Sequence, residues 1–418
     1  MKGDVVMVLA GTVEIDAGRV VDNGRSHGTE QCTISAMKIT QVEVMVLKSP
    51  GLYNNPEDAE EPLGPTYMGL VKVSTDAGIS GYSDMETAPT VAKAIVEAPR
   101  WSEPGMECFD GLASLVVGEN PLEPERLWYK MYRGSIYYGR RGAAMQAISA
   151  IDIALWDIAG KFYRQPVHIL LGARWRDRVR AYASTLFRPN PAAMRKAARH
   201  YLDQGFTAIK FGWGVFGRDP ELDVKLVEAA RQEIGDRNDL LIDPGWFVER
   251  TPKQAIRAIR SVEPFRPYFV EDFLHPEDYA GYRQVSEAVE TPVACGEQEA
   301  TEWGFQKLIE AKVDILQPDL TRCGGFTAAR KIVHMAELAN VLVIPHSWSS
   351  GLLTAASLHL NAFQRRACFI EFSTSSGPLS REMLRQPFRL MDGHVAVPCG
   401  PGLGVELNEE TLARYRVA

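Results

Sequence analysis

Through the middle of the chain, short apolar runs end on charged or polar residues. Arg180-Ala181-Tyr182-Ala183, Thr207-Ala208-Ile209-Lys210-Phe211, Leu240-Leu241-Ile242-Asp243, Tyr268-Phe269-Val270-Glu271 and Pro292-Val293-Ala294-Cys295 read as strands. Asp314-Ile315-Leu316-Gln317, Val341-Leu342-Val343-Ile344 and Cys368-Phe369-Ile370-Glu371 continue the series. Helical periods fill the intervals, for example Leu222–Glu233, Lys253–Ser261 and Phe326–Leu338. Alternating strands and helices predict parallel strands, and eight of them favour a closed α/β barrel over residues 171–376. An open doubly wound sheet is the alternative.

The flanks follow other patterns. From Ile39 to Leu47 apolar residues partly alternate, and Val71-Lys72-Val73 and Gly81-Tyr82-Ser83 add two strands around the turn Asp76-Ala77-Gly78. A turn-rich surface loop, Ser49 to Pro56 and on through an acidic patch to Pro62, separates the first two. Helical period takes over from about Leu122 and is strongest in Ala143 to Phe162, where Ala150, Ile151, Ile153, Ala154, Leu155, Ile158 and Ala159 form a broad apolar face. Residues 37–170 are therefore expected to form an α+β cap. The Pro- and Gly-rich residues after Glu371, such as Pro398-Cys399-Gly400-Pro401-Gly402, predict that 377–418 return to it. Residues 1–36 pair a modestly apolar start with the polar stretch Asp22 to Gly28 and lack the usual cleavage site of an export signal. They read as a poorly ordered extension, or as an upstream start before a true beginning at Met37.

Composition narrows the function. A chain of 418 residues, 45% apolar and 24% charged, fits a large soluble domain plus a smaller one. Its net charge of −7 argues against non-specific binding to nucleic acid or to an acidic membrane. No apolar run reads as long enough to span a bilayer. The six cysteines lie far apart without a Cys-x-x-Cys pair, as expected of reduced thiols in a cytoplasmic protein.

In such barrels reactive groups gather at the carboxyl ends of the strands. Reading that rim in order gives Lys210, Asp243, Glu271, Glu297, Asp319, His346 and Glu371. Any one acid there would serve equally well to cap the next helix. Asp243, Glu271 and Glu297 together would repel one another unless a hard cation sat between them, and an all-oxygen set suits Mg²⁺ better than zinc. His346 with Asp319 on the preceding strand makes a competent general base. His27, His200, His334 and His359 fall in the extension or in helices and compete poorly. Lys210 needs an anion, either a substrate carboxylate or a metal ligand, unless it forms a plain structural ion pair. As a Schiff-base nucleophile it would define a different enzyme class. Glu371 reads as a proton donor, a hydrogen-bond partner of bound carboxylate, or a structural residue.

These residues resemble the enolase superfamily and, within it, the mandelate racemase subgroup, from about Met37 to the carboxyl terminus. Ile242-Asp243, Val270-Glu271 and Gly296-Glu297 are similar to its three metal-ligand motifs, Pro318-Asp319 with Cys323-Gly324-Gly325 to its Asp strand, and Pro345-His346 to its His strand as found in acid-sugar dehydratases. Ser149 to Asp157 with Gly160-Lys161 resemble the helix leading into the barrel. The resemblance implies a (β/α)7β barrel and a Mg²⁺-dependent enzyme that removes the proton α to a carboxylate and stabilises an enediolate. It also implies a homo-oligomer acting on a small sugar acid. One departure matters. Where many relatives carry Lys-x-Lys, this chain has Lys210-Phe211-Gly212, and Gly212 cannot take a proton. Racemisation needs acid–base groups on both faces of the α-carbon, so the expectation moves to dehydration of an aldonate or related acid to a 2-keto-3-deoxy acid. Epimerisation or cycloisomerisation is the alternative. Tyr53, Tyr138, Arg140 and Trp213 are the candidates to contact substrate, Tyr138 also as proton donor.

Overall fold

The computed structural model describes residues 37–50, 66–85, 87–103, 105–375 and 377–417. The extension 1–36, and the loop that holds Tyr53, lie outside the described residues.

Three antiparallel strands open the described part: β1 (Ile39–Ser49), β2 (Thr66–Thr75) and β3 (Ser80–Met85). Asp76-Ala77-Gly78 makes the tight turn between the last two, with Gly78 at φ 74. This sheet packs on the helix Gly142–Tyr163 so closely that a Cβ at Gly81 would stand 2.0 Å from the carbonyl oxygen of Ala154. Helices Pro89–Glu97 and Leu112–Val116, which the sequence pattern did not reveal, complete this apolar cluster.

The helix Gly142–Tyr163 departs from the expectation of a single apolar face. By length and composition it could cross a membrane, contrary to the reading that no run is long enough, yet it is largely buried inside the protein. Its buried polar groups are tied on several sides. Asp152 accepts from Thr327 Oγ1 at 2.6 Å and Thr327 N at 3.0 Å, and Ser149 Oγ accepts from Gly324 N at 2.8 Å. Asp157 accepts from Tyr82 N, Lys161 Nζ and Leu403 N. A core helix whose buried Ser149, Asp152 and Asp157 are all hydrogen-bonded explains the composition.

The second sheet contains the strands β4 (Arg178–Leu186), β5 (Ala208–Gly212), β6 (Asp239–Asp243), β7 (Phe269–Glu271), β8 (Val293–Cys295), β9 (Ile315–Leu316), β10 (Leu342–Val343) and β11 (Ile370–Ser373). All pair in parallel in the order β10-β9-β8-β7-β6-β5-β4-β11. The sheet thus curls until the last of these in sequence lies beside the first, with Glu371 opposite Tyr182. Among the described residues β10 and β11 share no ladder. A further strand absent from the sequence expectation, β12 (His394–Ala396), runs antiparallel along the start of β4. Beyond it the chain reaches β1, where Val417 N donates to Val46 O at 2.9 Å and Arg416 pairs with Glu43 at 2.8 Å.

One apolar cluster explains where the chemistry sits. Tyr182, Ala208, Leu241, Phe269, Ala294, Ile315, Ile344 and Phe369, one from each strand or its flank, pack together on the inner side of the curl. Strand side chains alternate, so residues two positions on share that inner side one layer higher. Those residues are Ser184, Lys210, Asp243, Glu271, Gly296, Gln317, His346 and Glu371.

A buried histidine pair fastens the tail. His359 Nε2 lies 3.1 Å from Leu403 O and His359 Nδ1 lies 2.8 Å from His168 Nδ1. The carbonyl fixes the proton of His359 on Nε2, so its Nδ1 accepts from His168. Burial, a backbone bond that only partly offsets it, and the neighbouring His168 leave His359 at about 3. Its folded value is below the unfolded one near 6.5, so the unfolded chain binds more protons in acid. Stability is therefore full above pH 6.5 and falls as pH drops toward 3, by roughly 2 kcal/mol at pH 5 from this group alone. Urea midpoints at pH 7.5 and 5 are expected to differ less in His359→Gln than in the wild type. Gly81→Ala is expected to cost about 1–3 kcal/mol in the same titration, because the helix carbonyl has to move.

Candidate active site

The polar layer is crowded with charge. Asp243, Glu271, Asp272, Glu297, Asp319 and Glu371 are all buried, as are Lys210 and His346. Lys210 Nζ stands among three carboxylates, 2.8 and 3.0 Å from the two oxygens of Glu271, 3.0 Å from Glu371 Oε1 and 3.3 Å from Asp243 Oδ2. Burial works against its charge, but Glu271, Glu371 and Asp243 outweigh it and hold the ammonium well above its usual range. A lysine so held has no free amine for a Schiff base.

His346 closes the other side. Its Nδ1 lies 2.7 Å from Asp319 Oδ2, while its Nε2 faces Glu297 Oε2 at 3.1 Å and Glu371 Oε2 at 3.9 Å. Asp319 is fixed in turn by Thr321, whose N and Oγ1 donate to Oδ1 at 2.7 and 2.6 Å. Burial disfavours the imidazolium, but Glu297, Glu371 and Asp319 together push His346 up to about 10. At neutral pH it is then protonated, and action as a base requires the field of Glu297 to be weakened. Glu371 accepts from Ser184 Oγ at 2.7 Å and Ser347 N at 2.8 Å. Burial raises it, and Lys210, His346 and these two bonds bring it below the usual carboxylate range.

Backbone geometry completes the ring where alternation alone would fail. Glu297 follows the inward position Gly296 and would point away on a regular strand. Gly296 has φ 123, open to glycine, and the chain turns Glu297 into the site. Gly212 lies next to Asp243, where a Cβ would stand 3.0 Å from Asp243 Oδ2. The position held by lysine in Lys-x-Lys sequences is thus bare backbone facing the cavity.

Lys210, Asp243, Glu297, His346 and Glu371 line a cavity of about 140 Å³ with Trp213, Arg322 and Trp348. Trp213, a candidate substrate contact, packs on Phe247 with ring centroids 4.7 Å apart and planes tilted by 44°. Tyr138 and Arg140 do not line this cavity. Tyr138 is turned away by its hydroxyl, which donates to Asp110 O at 2.5 Å, and Arg140 is exposed with φ 76. Their neighbour Arg141 bonds Glu277, Tyr279 and Glu299 instead.

Sequence reading missed four residues. Asp272, with φ 49, is a further carboxylate pushed well up by burial and by Glu297, Glu271 and Asp243. Arg322 lies 3.7 Å from Glu297 Oε1 and 3.6 Å from Asp319 Oδ2. Gln317 occupies the polar layer, fully buried, with neither side-chain amide atom bonded among the described residues. Trp348 walls the cavity two residues past His346. For Gln317 the alternation rule was the available signal.

No group of three or more His, Cys, Asp or Glu side chains among the described residues stands as a ready metal-ligand cluster. Glu271 faces Lys210, and Glu297 faces His346. The donor chemistry nevertheless fits Mg²⁺. Asp243 and Glu271 are both pushed up, by burial first and then, against the pull of Lys210, by mutual repulsion with Glu297 and Glu371. A divalent cation among these oxygens would relieve that repulsion and draw off the field of Glu297.

An acid-rich layer with one lysine and an Asp–His pair, at the carboxyl ends of parallel strands, defines a class of enzymes built for proton transfer beside a carboxylate. Residues 63–172 match the mandelate racemase / muconate lactonizing enzyme N-terminal domain, and 193–411 the enolase C-terminal domain-like family. The chain belongs to the enolase superfamily, in its mandelate racemase subgroup. It is 33% identical over 365 residues to D-galactarolactone cycloisomerase of Agrobacterium fabrum, covering 83% of this chain and 91% of the relative. It is 31% identical over 390 residues to D-gluconate dehydratase of Thermoproteus tenax, covering 90% and 74%. A solved racemase from Streptomyces coelicolor A3(2) with bound magnesium superposes with a TM-score of 0.78 at 26% identity, covering 91% of this chain and all of that one.

Replacing Lys210 by methionine leaves buried carboxylates without their cation. The variant is expected to be destabilised by roughly 3–5 kcal/mol in EDTA. Added Mg²⁺ is expected to raise the melting temperature of this variant more than that of the wild type.

Proposed function

We propose that this protein is a Mg²⁺-dependent hydro-lyase of a sugar acid, aldonate or a close relative, converting it to a 2-keto-3-deoxy acid. The single observation that carries the reading is the asymmetry of the site. One imidazole, paired with Asp319, faces a carboxylate-rich floor, and on the Lys210 strand the second lysine is replaced by Gly212. One acid–base group serves an elimination, whereas inversion at the α-carbon calls for two.

In this reading Asp243, Glu271 and Glu297 hold Mg²⁺, which supplies positive charge where negative charge grows on the substrate carboxylate. Lys210, an ammonium at every working pH, adds charge of the same sign from below. His346 Nε2 takes the proton from the carbon α to the carboxylate, and Asp319 holds the imidazolium that forms. The bond from the β-carbon to its hydroxyl then breaks. The leaving oxygen takes the proton back from His346 and departs as water, and the enol that remains converts to the ketone. Glu371, between Lys210, Ser184 and the His346 segment, keeps the lysine and the imidazole in register. Trp213 and Trp348 are proposed to exclude water and, with residues of the loop that includes Tyr53, to contact the distal part of the substrate. The 31% identical dehydratase supports this reading. We take the curled sheet to close into a barrel under a cap of residues 37–170 and the tail 377–418.

A second reading is favoured by one observation, the 33% identity to a cycloisomerase. There the same proton abstraction would accompany ring opening or closure rather than loss of water.

The test is a sugar-acid library with Mg²⁺, scored for semicarbazide-reactive keto acid. Dehydration gives that product; exchange of the α-hydrogen with solvent deuterium without it overturns the dehydratase reading. His346→Asn is expected to lower turnover by at least about a thousandfold with Mg²⁺ affinity nearly intact by calorimetry. Glu297→Ala is expected to lose both.

A further inference from the structure

Asp84 lies near the end of β3 and is fully buried. Its Oδ2 accepts from two adjacent hydroxyls across the molecule, Ser349 Oγ at 2.8 Å and Ser350 Oγ at 2.6 Å. Its Oδ1 has no partner among the described residues. A buried carboxyl with one bare oxygen is a costly way to hold two hydroxyls. Helix capping does not require it. Ser350 caps the helix Gly351–Phe363 by accepting from Leu352 N at 3.0 Å, and that bond leaves its own proton free for Asp84.

What the two serines carry accounts for that cost. They lie three and four residues beyond His346 on one short segment. Its first half is pinned inside the curled sheet, His346 to Asp319 and Ser347 N to Glu371. Trp348 lines the cavity in its middle. Its far end hangs on Asp84, helped by Ser380 Oγ, which donates to Ser349 O at 2.9 Å. Burial and repulsion from Asp319, offset in part by the two serines, push Asp84 up to about 6, so the two acids sense each other.

We infer that Asp84 is a positioning residue of the active site: through Ser349 and Ser350 it sets where the His346–Trp348 segment stands over the cavity. This rests on the role proposed above for His346. The β3 strand then contributes to the proton-transfer step itself, in addition to any contact its loops make with substrate.

Asp84→Asn keeps an oxygen for both hydroxyls and removes the charge; Asp84→Ala removes both. Well below the melting temperature, Asp84→Ala is expected to lower kcat about tenfold or more, with KM changed by no more than about twofold. Asp84→Asn is expected to restore most of the rate. Ser349→Ala, which spares the Ser350 cap, is expected to act in the same direction and to add little on top of Asp84→Ala. A readout without substrate keeps this inference separate from the proposed reaction. The low-field proton of the His346–Asp319 bond, assigned by its loss in His346→Asn, is expected to shift in Asp84→Ala and return in Asp84→Asn. If no sugar acid is turned over but this resonance still follows Asp84, the reaction is wrong and the positioning role stands. An unchanged kcat and an unchanged resonance in folded Asp84→Ala, or in Ser349→Ala should the first not fold, overturn the inference.

Discussion

The ammonium of Lys210 among the carboxylates of Asp243, Glu271 and Glu371 is the interaction on which the rest of the site depends. Burying several acids in one layer is prohibitive unless positive charge is buried with them. The lysine offsets part of that cost and His346, protonated in the absence of other cations, offsets more. What remains is an excess of negative charge, and that excess is what makes the layer a natural seat for a divalent ion. Folding and chemistry are thus coupled through one electrostatic balance. The groups that would do the chemistry also keep the resting protein from flying apart.

That balance depends on strand geometry for its precision. Lys210, Asp243, Glu271, His346 and Glu371 each stand two positions after a member of a closely packed apolar layer, so their position is set by the packing of Tyr182, Leu241, Phe269, Ile315, Ile344, Phe369 and their neighbours. Glycine breaks the rule where the site needs it. Gly296 redirects Glu297, and Gly212 leaves open a position where a side chain would crowd Asp243.

Much of this was legible in the chain, for identifiable reasons. Buried parallel strands are apolar along their length, so a charged residue at their ends stands out, and Lys210, Asp243, Glu271, His346 and Glu371 were found that way. The curled parallel sheet that carries them was legible from the same alternation of strand and helix. Residues whose roles depend on the sign of φ or on partners far along the chain were not. Asp272 is marked by its left-handed backbone, and Asp84 by Ser349 and Ser350, which reach it from far along the chain. Tyr138 and Arg140 were attractive because aromatic and cationic residues suit sugar acids, but a local bond to Asp110 turns the first away and the second faces solvent. The strand β12 was missed because a three-residue segment carries too little pattern to detect.

The apolar layer has one more effect. It is a floor: beneath the charged layer Tyr182, Leu241, Phe269, Ile315, Ile344 and Phe369 pack against one another. Loops above the charged layer can therefore be rebuilt for new substrates while the floor below them keeps its shape.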